Sequence, residues 1–306
     1  MNNLDIAVLL PCHNEAGAIG DTIEAFKNAL PTATIYVYDN NSTDTTVEEA
    51  KTAGAIVRFE PRQGKGEVVR RMFADIEADI YIMADGDNTY DATIAPELVE
   101  TLIQEQLDMI VGTRSKKKDS YPIGHILGNT FFSKLINNAF SSNLTDVFSG
   151  YRVMTRRFVK SVPVFSDGFQ VETELTVHSL QHKLPIKEVP TKYISRPEGT
   201  KSKLSTFSDG FKILNFIFFL LRNVRPMLFF FALSSLFMLA SLGLGIPVVY
   251  EFIETGLVKR FPTAILASSL GVISVLLSFT GLILDNVRQS RLEINRLHYL
   301  ALTKNI

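Results

Sequence analysis

The sequence predicts an α/β domain, a mostly parallel mixed sheet with helices on both faces, followed by a two-helix transmembrane hairpin. Two observations carry this. Up to about residue 205, short apolar runs alternate with segments of helical period. Beyond that, two long stretches, Met227–Tyr250 and Phe261–Leu284, contain no charge. Each is long enough to cross a hydrocarbon core of about 30 Å.

Taken in order, Ile6–Leu10 is a strand. Ala18–Leu30 is a helix, with Ile19, Ile23, Phe26 and Leu30 along one stripe. Ile35–Tyr38 is a strand, Thr43–Ala53 a helix and Ala55–Phe59 a strand. Gly66–Ile76 is a helix, Ile80–Met83 a strand, and Leu107–Val111 a later strand. The expected domains are 1–205, a catalytic α/β domain; 206–225, an interfacial juxtamembrane helix; and 226–306, the hairpin and a tail. Within 206–225, the run Phe211–Leu221 is too short to span and suits the membrane interface, the alternative being an extension of the first membrane helix. Lys212, Arg222 and Arg225 precede the first span, and Arg288, Arg291 and Arg296 follow the second. The link between the spans balances Lys259 and Arg260 against Glu251 and Glu254. This basic excess puts both ends, and so the large domain, in the cytoplasm.

Composition narrows the possibilities. A chain of 306 residues holds one large domain plus an appendage. A net charge of −1 speaks against nucleic acid as a partner. The single cysteine, Cys12, rules out an internal disulfide framework and reads as a small buried hydrophobe. No secretory leader is expected, because Met1–Asp5 is polar and Ile6–Leu10 is short.

In such sheets ligands bind beyond the carboxyl ends of the strands. Five polar clusters fall there: PCHNE (11–15), DNNSTD (39–44), RQGKGE (62–67), ADGD (84–87) and GTR (112–114). Asp85 and Asp87 are two carboxylates one residue apart, suited to a hard divalent cation that bridges phosphate oxygens. Lys65 and Arg114 supply positive charge to phosphates. Glu15 and Asp39 can accept hydrogen bonds from a base or ribose. Asp44, in the first turn expected after Ser42 or Thr43, reads as a capping residue. The GKG triplet lacks the spacing of a P-loop.

The ordered set PCHNE, DNNSTD, GKG, ADGD and GTR resembles family 2 glycosyltransferases of the GT-A, nucleotide-sugar-binding fold. The resemblance continues through DVFSGYR (146–152), FQVETEL (169–175) and RPEGTKSKL (196–204). With the two membrane helices, the whole is similar to polyprenyl-phosphate glycosyltransferases, such as dolichyl-phosphate mannose synthases and bacterial undecaprenyl-phosphate sugar transferases. The resemblance implies inverting transfer of a sugar from a UDP- or GDP-linked donor to a polyprenyl phosphate, with Mg2+ or Mn2+. It implies that Pro11, His13, Glu15 and Asp39 line the nucleoside site, with Lys65 and Asp85 also toward the nucleotide, and that Asp85 and Asp87 hold the metal. It puts Asp146 on the acceptor side and gives phosphates to Arg114, Arg196, Ser202 and Lys203.

A phosphate monoester has a second pKa of about 6, so the acceptor is largely ionised and hardly needs a general base. Asp146 therefore suits orienting the acceptor more than deprotonating it. Glu172 and Glu174, two apart, point to different faces of a helix, and Glu172 is the better candidate for the site. Where the family often has a third polar neighbour of the metal, this chain has Thr89, with Asn88 and Asp91 nearby. A basic residue common in the family before DxxSG is not obvious here; His125 is the nearest candidate and reads rather as a packed or hydrogen-bonding histidine. The basic run Lys116–Lys118 suits lipid head groups or a solvated loop, and the loop from Arg196 to Phe211 suits ordering on binding. Gly243, Ala267, Ser268 and Gly271 are small residues able to pack protomers into a homo-oligomer. Two other enzyme readings fit less well. A processive synthase usually carries QxxRW, and this chain has no tryptophan. Nucleotidyltransferases, which would share the sheet and the metal, resemble one another in an N-terminal glycine-rich GxGTR-type loop, which Ile6–Gly17 lacks. A non-enzymatic membrane scaffold is the third alternative.

Overall fold

The computed structural model describes residues 4–114, 133, 134, 136–138, 140–168, 170–192, 222 and 224–302. The chain divides into two units, Met1–Ser202 with Asn295–Ile306, and Lys203–Ile294.

In the first unit the strands are β1 (Ile6–Cys12), β2 (Thr34–Asp39), β3 (Ile56–Phe59), β4 (Ile80–Met83), β5 (Met109–Arg114), β6 (Arg152–Thr155) and β7 (Ile186–Thr191). They form one sheet in the order β3-β2-β1-β4-β6-β5-β7. All pairings are parallel except those of β6, which is antiparallel to both β4 and β5. The helices are α1 (Ile19–Ala29), α2 (Thr46–Thr52), α3 (Lys65–Asp75), α4 (Ala95–Gln104), α5 (Arg156–Ser161) and α6 (Val171–Gln181).

All seven residues of β1 are buried, as a strand covered on both faces requires. Successive side chains alternate between faces. Ile6, Val8 and Leu10 join α1 and α4 in one core; Ala7 and Leu9 join α3, α5 and α6 in the other. The α1 stripe Ile19, Ile23 and Phe26 is buried as its spacing predicts.

The second helix departs from its expected start at Thr43 and begins at Thr46. The Asp44 carboxylate accepts the Thr46 N–H at 3.0 Å and the Ala16 N–H at 3.2 Å. Aspartate competes in this way with the helical backbone and holds the preceding residues in a turn. Its pKa is lowered, burial being outweighed by these hydrogen bonds.

β6 decides where the site forms. Because it runs against its neighbours, its entry lies at the edge where β4 and β5 exit: Arg152 pairs with Met83 and with Val111. The residues before it, Asp146–Tyr151, are thereby delivered to the carboxyl edge of the sheet.

In the second unit, α7 (Pro226–Thr255) and the larger part of α8 (Phe261–Ala301) form an antiparallel hairpin. Both are long and apolar enough to cross a membrane. Ser234 Oγ donates to Ser274 O at 2.8 Å, Ser274 Oγ returns a bond to Ser234 O at 2.9 Å, and Ser241 Oγ donates to Ala267 O at 2.7 Å. A Cβ on Gly271 would meet Ser241 Oγ at 3.1 Å, and one on Gly281 would meet Phe230 Cβ at 2.8 Å. Small residues thus bring the two helices together. Ala267 and Gly271, expected as protomer contacts, are used inside this hairpin.

The last turns of α8 belong to the first unit. Tyr299 Oη donates to the buried Asp108 at 2.6 Å, and the Arg157 guanidinium lies 4.2 Å from the Tyr299 ring centroid.

On α6, the buried His178 packs edge-on to Phe158 and lies 4.5 Å, centroid to centroid, from His182. Burial, reinforced by His182, pushes His178 down to about 3; His182 is lowered too, by burial and Arg296. A folded-state pKa below the unfolded value of about 6.5 means that the unfolded chain takes up the proton first. Stability is therefore full above pH 6.5 and is lost as pH falls below it. For His178 the loss reaches about 1 kcal/mol between pH 6.5 and 5.5. Thermal melts in detergent at these two pH values check this: His178→Phe is expected to shrink the difference seen in the wild type.

Candidate active site

The first two polar loops are stapled together before any ligand arrives. Asn14, at φ +54°, accepts the Thr43 N–H on Oδ1 at 2.8 Å, and its own N–H donates to Ser42 Oγ at 2.9 Å. The Glu15 N–H donates to Thr46 Oγ1 at 2.9 Å and the Gly17 N–H to Glu49 Oε2 at 2.7 Å. Ser42, Thr43, Asp44 and Thr46 are therefore occupied in holding the PCHNE loop. Pro11 is buried within β1 beside Tyr38 of β2, while His13 and Glu15 are half-buried just beyond the strand end. Asp39 is 4% exposed. Its Oδ2 accepts the Ser42 N–H at 3.2 Å, and its Oδ1 is buried with no hydrogen-bond partner among the described residues. Such an atom is costly unless a ligand completes it.

Asn40, a residue not singled out above, fixes the third loop. Its Nδ2 donates to Glu60 O at 2.9 Å and Arg62 O at 2.7 Å, and its Oδ1 accepts the Gly64 N–H at 2.7 Å. The flanking glycines have a packing role. Gly64 sits at φ +139°, and a Cβ there would collide with the carbonyl oxygen of Asp167, as one on Gly66 would with that of Ser166. Only glycine lets the 166–168 backbone close over the start of α3.

This closure turns Lys65 inward, to 10% exposure. Its Nζ lies 2.5 Å from both Asp85 Oδ1 and Glu172 Oε1. Burial alone would lower the ammonium's pKa; Asp85 and Glu172 outweigh it and raise the pKa. Of the two α6 glutamates, Glu172 thus faces the site. Glu174 accepts the backbone N–H groups of Phe165 at 2.8 Å and Ser166 at 2.9 Å, bracing the closure.

Asp85 and Asp87 follow β4. Asp87 is 6% exposed and accepts the Thr89 hydroxyl at 2.6 Å on Oδ1. Thr89 therefore orients Asp87. Asp91 accepts the Thr93 N–H at 3.0 Å and caps the 3-10 turn Ala92–Ile94.

Asp146 comes from the loop before β6. Its carboxylate takes a two-pronged bond from Arg114 of β5, Nε to Oδ2 and Nη2 to Oδ1, each 2.7 Å. The same loop touches the acidic pair: a Cβ on Gly150 would lie 3.0 Å from Asp85 Oδ2, and the Gly150 N–H donates to Tyr90 Oη at 2.9 Å. Desolvation raises the pKa of the Tyr90 phenol, with Asp85 adding to it. The structure thus brings together Lys65, Asp85, Asp87, Arg114, Asp146 and Glu172, with Asp39 at the β2 end of the same edge. Arg196, Ser202, Lys203, His125, Lys116–Lys118 and the run Phe211–Leu221 lie outside the described residues.

A divalent cation fits the donor set. Among the described residues no three or more acidic, histidine or cysteine side chains form a metal cage. Two carboxylates at a strand end suit an ion that keeps waters and takes its other oxygens from a substrate diphosphate.

Comparison with known proteins agrees with this architecture. The model of the family described as glycosyl transferase family 2 matches residues 7–162. Glycosyltransferase AglJ of Haloferax volcanii is 33% identical over 253 residues, covering 81% of this chain and 82% of that protein. Undecaprenyl-phosphate mannosyltransferase of Micrococcus luteus is 23% identical over 225 residues, covering 69% of this chain and 91% of that protein. Among solved structures, glucosyl-3-phosphoglycerate synthase from Mycobacterium tuberculosis, in complex with Mn2+, UDP and phosphoglyceric acid, superposes with a TM-score of 0.59. It does so at 21% identity over 73% of this chain and 79% of that one, and shares the GT-A fold. On the family match and the similarity to AglJ, this chain belongs to glycosyl transferase family 2.

Proposed function

We propose that this family 2 glycosyltransferase moves a sugar, with inversion, from a UDP- or GDP-linked donor to a polyprenyl phosphate at the cytoplasmic face of the cell membrane, where its two apolar helices make it a multi-pass protein. One observation carries the reading. A cation-and-diphosphate group, Lys65, Asp85 and Asp87, and a second charged group, Arg114 with Asp146, share one sheet edge in a chain that also bears two membrane-length helices. Relatives such as the undecaprenyl-phosphate mannosyltransferase support the acceptor class.

The roles follow from the chemistry. The orphaned oxygen of Asp39 accepts a hydrogen bond from the donor's base or ribose, beside Pro11, His13 and Glu15. Asp85 and Asp87 hold magnesium or manganese, which when bound neutralises charge developing on the leaving diphosphate. Lys65 adds positive charge on the same side. Arg114, oriented by Asp146, faces the incoming lipid phosphate, with Arg196, Ser202 and Lys203 as further phosphate contacts.

The test uses purified protein in detergent with undecaprenyl or dolichyl phosphate. It offers a panel of labelled nucleotide sugars, with magnesium or manganese and again with chelator. Label is expected to enter the lipid phase from one donor, and only with metal. Nucleotide release without lipid labelling points to another acceptor. Metal-dependent nucleotide-sugar binding without turnover points to a scaffold.

A further inference from the structure

Asp146 is gripped from two sides, and only one grip is its own side chain's. We propose that Glu188 of β7 is a positioning residue that sets the acceptor-side carboxylate Asp146 by holding its backbone. The inference rests on the reading of Asp146 as the acceptor-side group.

Glu188 is aligned with Val111 of β5, the strand that ends in Arg114. Among the described residues, all its carboxylate's hydrogen bonds go to two consecutive residues, while its charge also acts on the buried Arg152. Oε1 accepts the Thr145 N–H at 2.8 Å and the Asp146 N–H at 2.9 Å; Oε2 accepts the Thr145 N–H at 2.8 Å and the Thr145 hydroxyl at 2.9 Å. A half-exposed glutamate on a strand ordinarily meets solvent or a cation. Among the described residues this one makes no ion pair and collects backbone donors. Charge-assisted bonds of this kind are stronger than neutral ones.

The geometry is that of a clamp. Arg114, from β5, fixes the Asp146 side chain; Glu188, from the adjacent parallel strand, fixes the Asp146 main chain. The two strands pair along their length, so the carboxylate's place relative to the sheet edge is set by contacts from neighbouring strands of one sheet. Release of the backbone lets Asp146 carry Arg114 away from its position, because the two-pronged pair moves as one. An attacking phosphate is sensitive to such displacement, since positioning contributes a large part of the barrier lowering. Among the described residues, the hydrogen bonds of Glu188 go to Thr145 and Asp146 and not to Asp39, Lys65, Asp85 or Asp87 on the donor side.

The experiment compares Glu188→Ala and Glu188→Gln with wild type, in detergent, by three readouts. These are the KM for lipid phosphate, nucleotide-sugar affinity, and amide hydrogen exchange of the segment 143–148. Glu188→Ala is expected to raise the acceptor KM about tenfold or more, a size typical of lost orienting contacts. Donor affinity stays unchanged, and exchange at Thr145 and Asp146 quickens. Glu188→Gln keeps a carbonyl acceptor and is expected to recover most of both effects, and it carries the test if the alanine variant does not fold. Unchanged KM with unchanged exchange overturns the proposal. So does an equal loss of donor affinity and acceptor KM, which marks a general structural role, and so does faster exchange with no change in KM. If wild type labels no lipid phosphate, the functional reading fails on that result alone. The positioning of Asp146 is then decided by the exchange readout.

Discussion

Asp87→Ala lowers sugar transfer by about two to three orders of magnitude, the usual size for removing a group that stabilises developing charge. The melting temperature stays close to wild type. Asp87 is 6% exposed, and the Thr89 hydroxyl already orients one of its oxygens. It is thus a pre-aimed carboxylate. Asp85 is different, because its Oδ1 is held by Lys65. Removing Asp85 takes away one of the two carboxylates that hold Lys65 and loses a ligand together, so its phenotype mixes two causes. Removing Asp87 leaves the Lys65–Glu172 pair intact and gives the cleaner reading. Two measurements check it: transfer at saturating metal, and manganese affinity by electron paramagnetic resonance in the presence of nucleotide. Weakened manganese binding is expected alongside lost transfer. Near-normal transfer by this variant sinks the assignment of the acidic pair.

The acidic pair was legible because it follows a fully apolar four-residue run in an alternating βα pattern. That pattern puts the ends of parallel strands on one edge, so Lys65, Asp85 and Arg114 fall together from order alone. The rest of the site depends on β6. Four residues, Arg152–Thr155, are too few for any periodicity, and an antiparallel entry leaves no mark in sequence. Glu188 was missed for a related reason. Its strand reads IKEVPT, with a half-exposed pattern, and a glutamate there resembles a solvated face. Only the β5–β7 pairing brings it to Thr145. On α6, buried Glu172, Thr173, Thr176 and Ser179 occupy positions where an amphipathic helix carries apolar residues. The helix therefore shows no stripe to read. The start of α2 slipped because side-chain bonds from Asp44 override local helix preference.

Arg152→Met destabilises the catalytic unit by about 3–5 kcal/mol, the cost of breaking a buried charged network from one side. The arginine is fully buried at 0% exposure. Its Nε donates to Ser149 O at 3.0 Å, and its Nη2 to Val147 O at 3.0 Å and Thr176 Oγ1 at 2.9 Å. Burial depresses its pKa to about 10, with the nearby charges of Glu172 and Asp146 opposing the drop. So a cation survives inside the core because carbonyl oxygens accept from it and three carboxylates, Glu172, Asp146 and Glu188, oppose its neutralisation. Methionine fills the volume and satisfies none of these acceptors, leaving two loop carbonyls stranded. At about 2–4 °C per kcal/mol for a unit of this size, the melt falls by about 6–20 °C. Arg152→Lys keeps the charge but reaches fewer acceptors, since an ammonium lacks the planar fork. It is expected to fall between the two. The functional consequence follows from where those carbonyls lie. Val147 and Ser149 belong to the loop that carries Asp146 at one end and sets Gly150 against Asp85 at the other. Arg152 therefore ties stability to the spacing between the acidic pair and the Arg114–Asp146 pair. At a temperature where Arg152→Lys is still folded, its transfer is expected to drop more than its folded fraction does. A variant that melts within 2 °C of wild type, or loses activity only in step with unfolding, counts against this link.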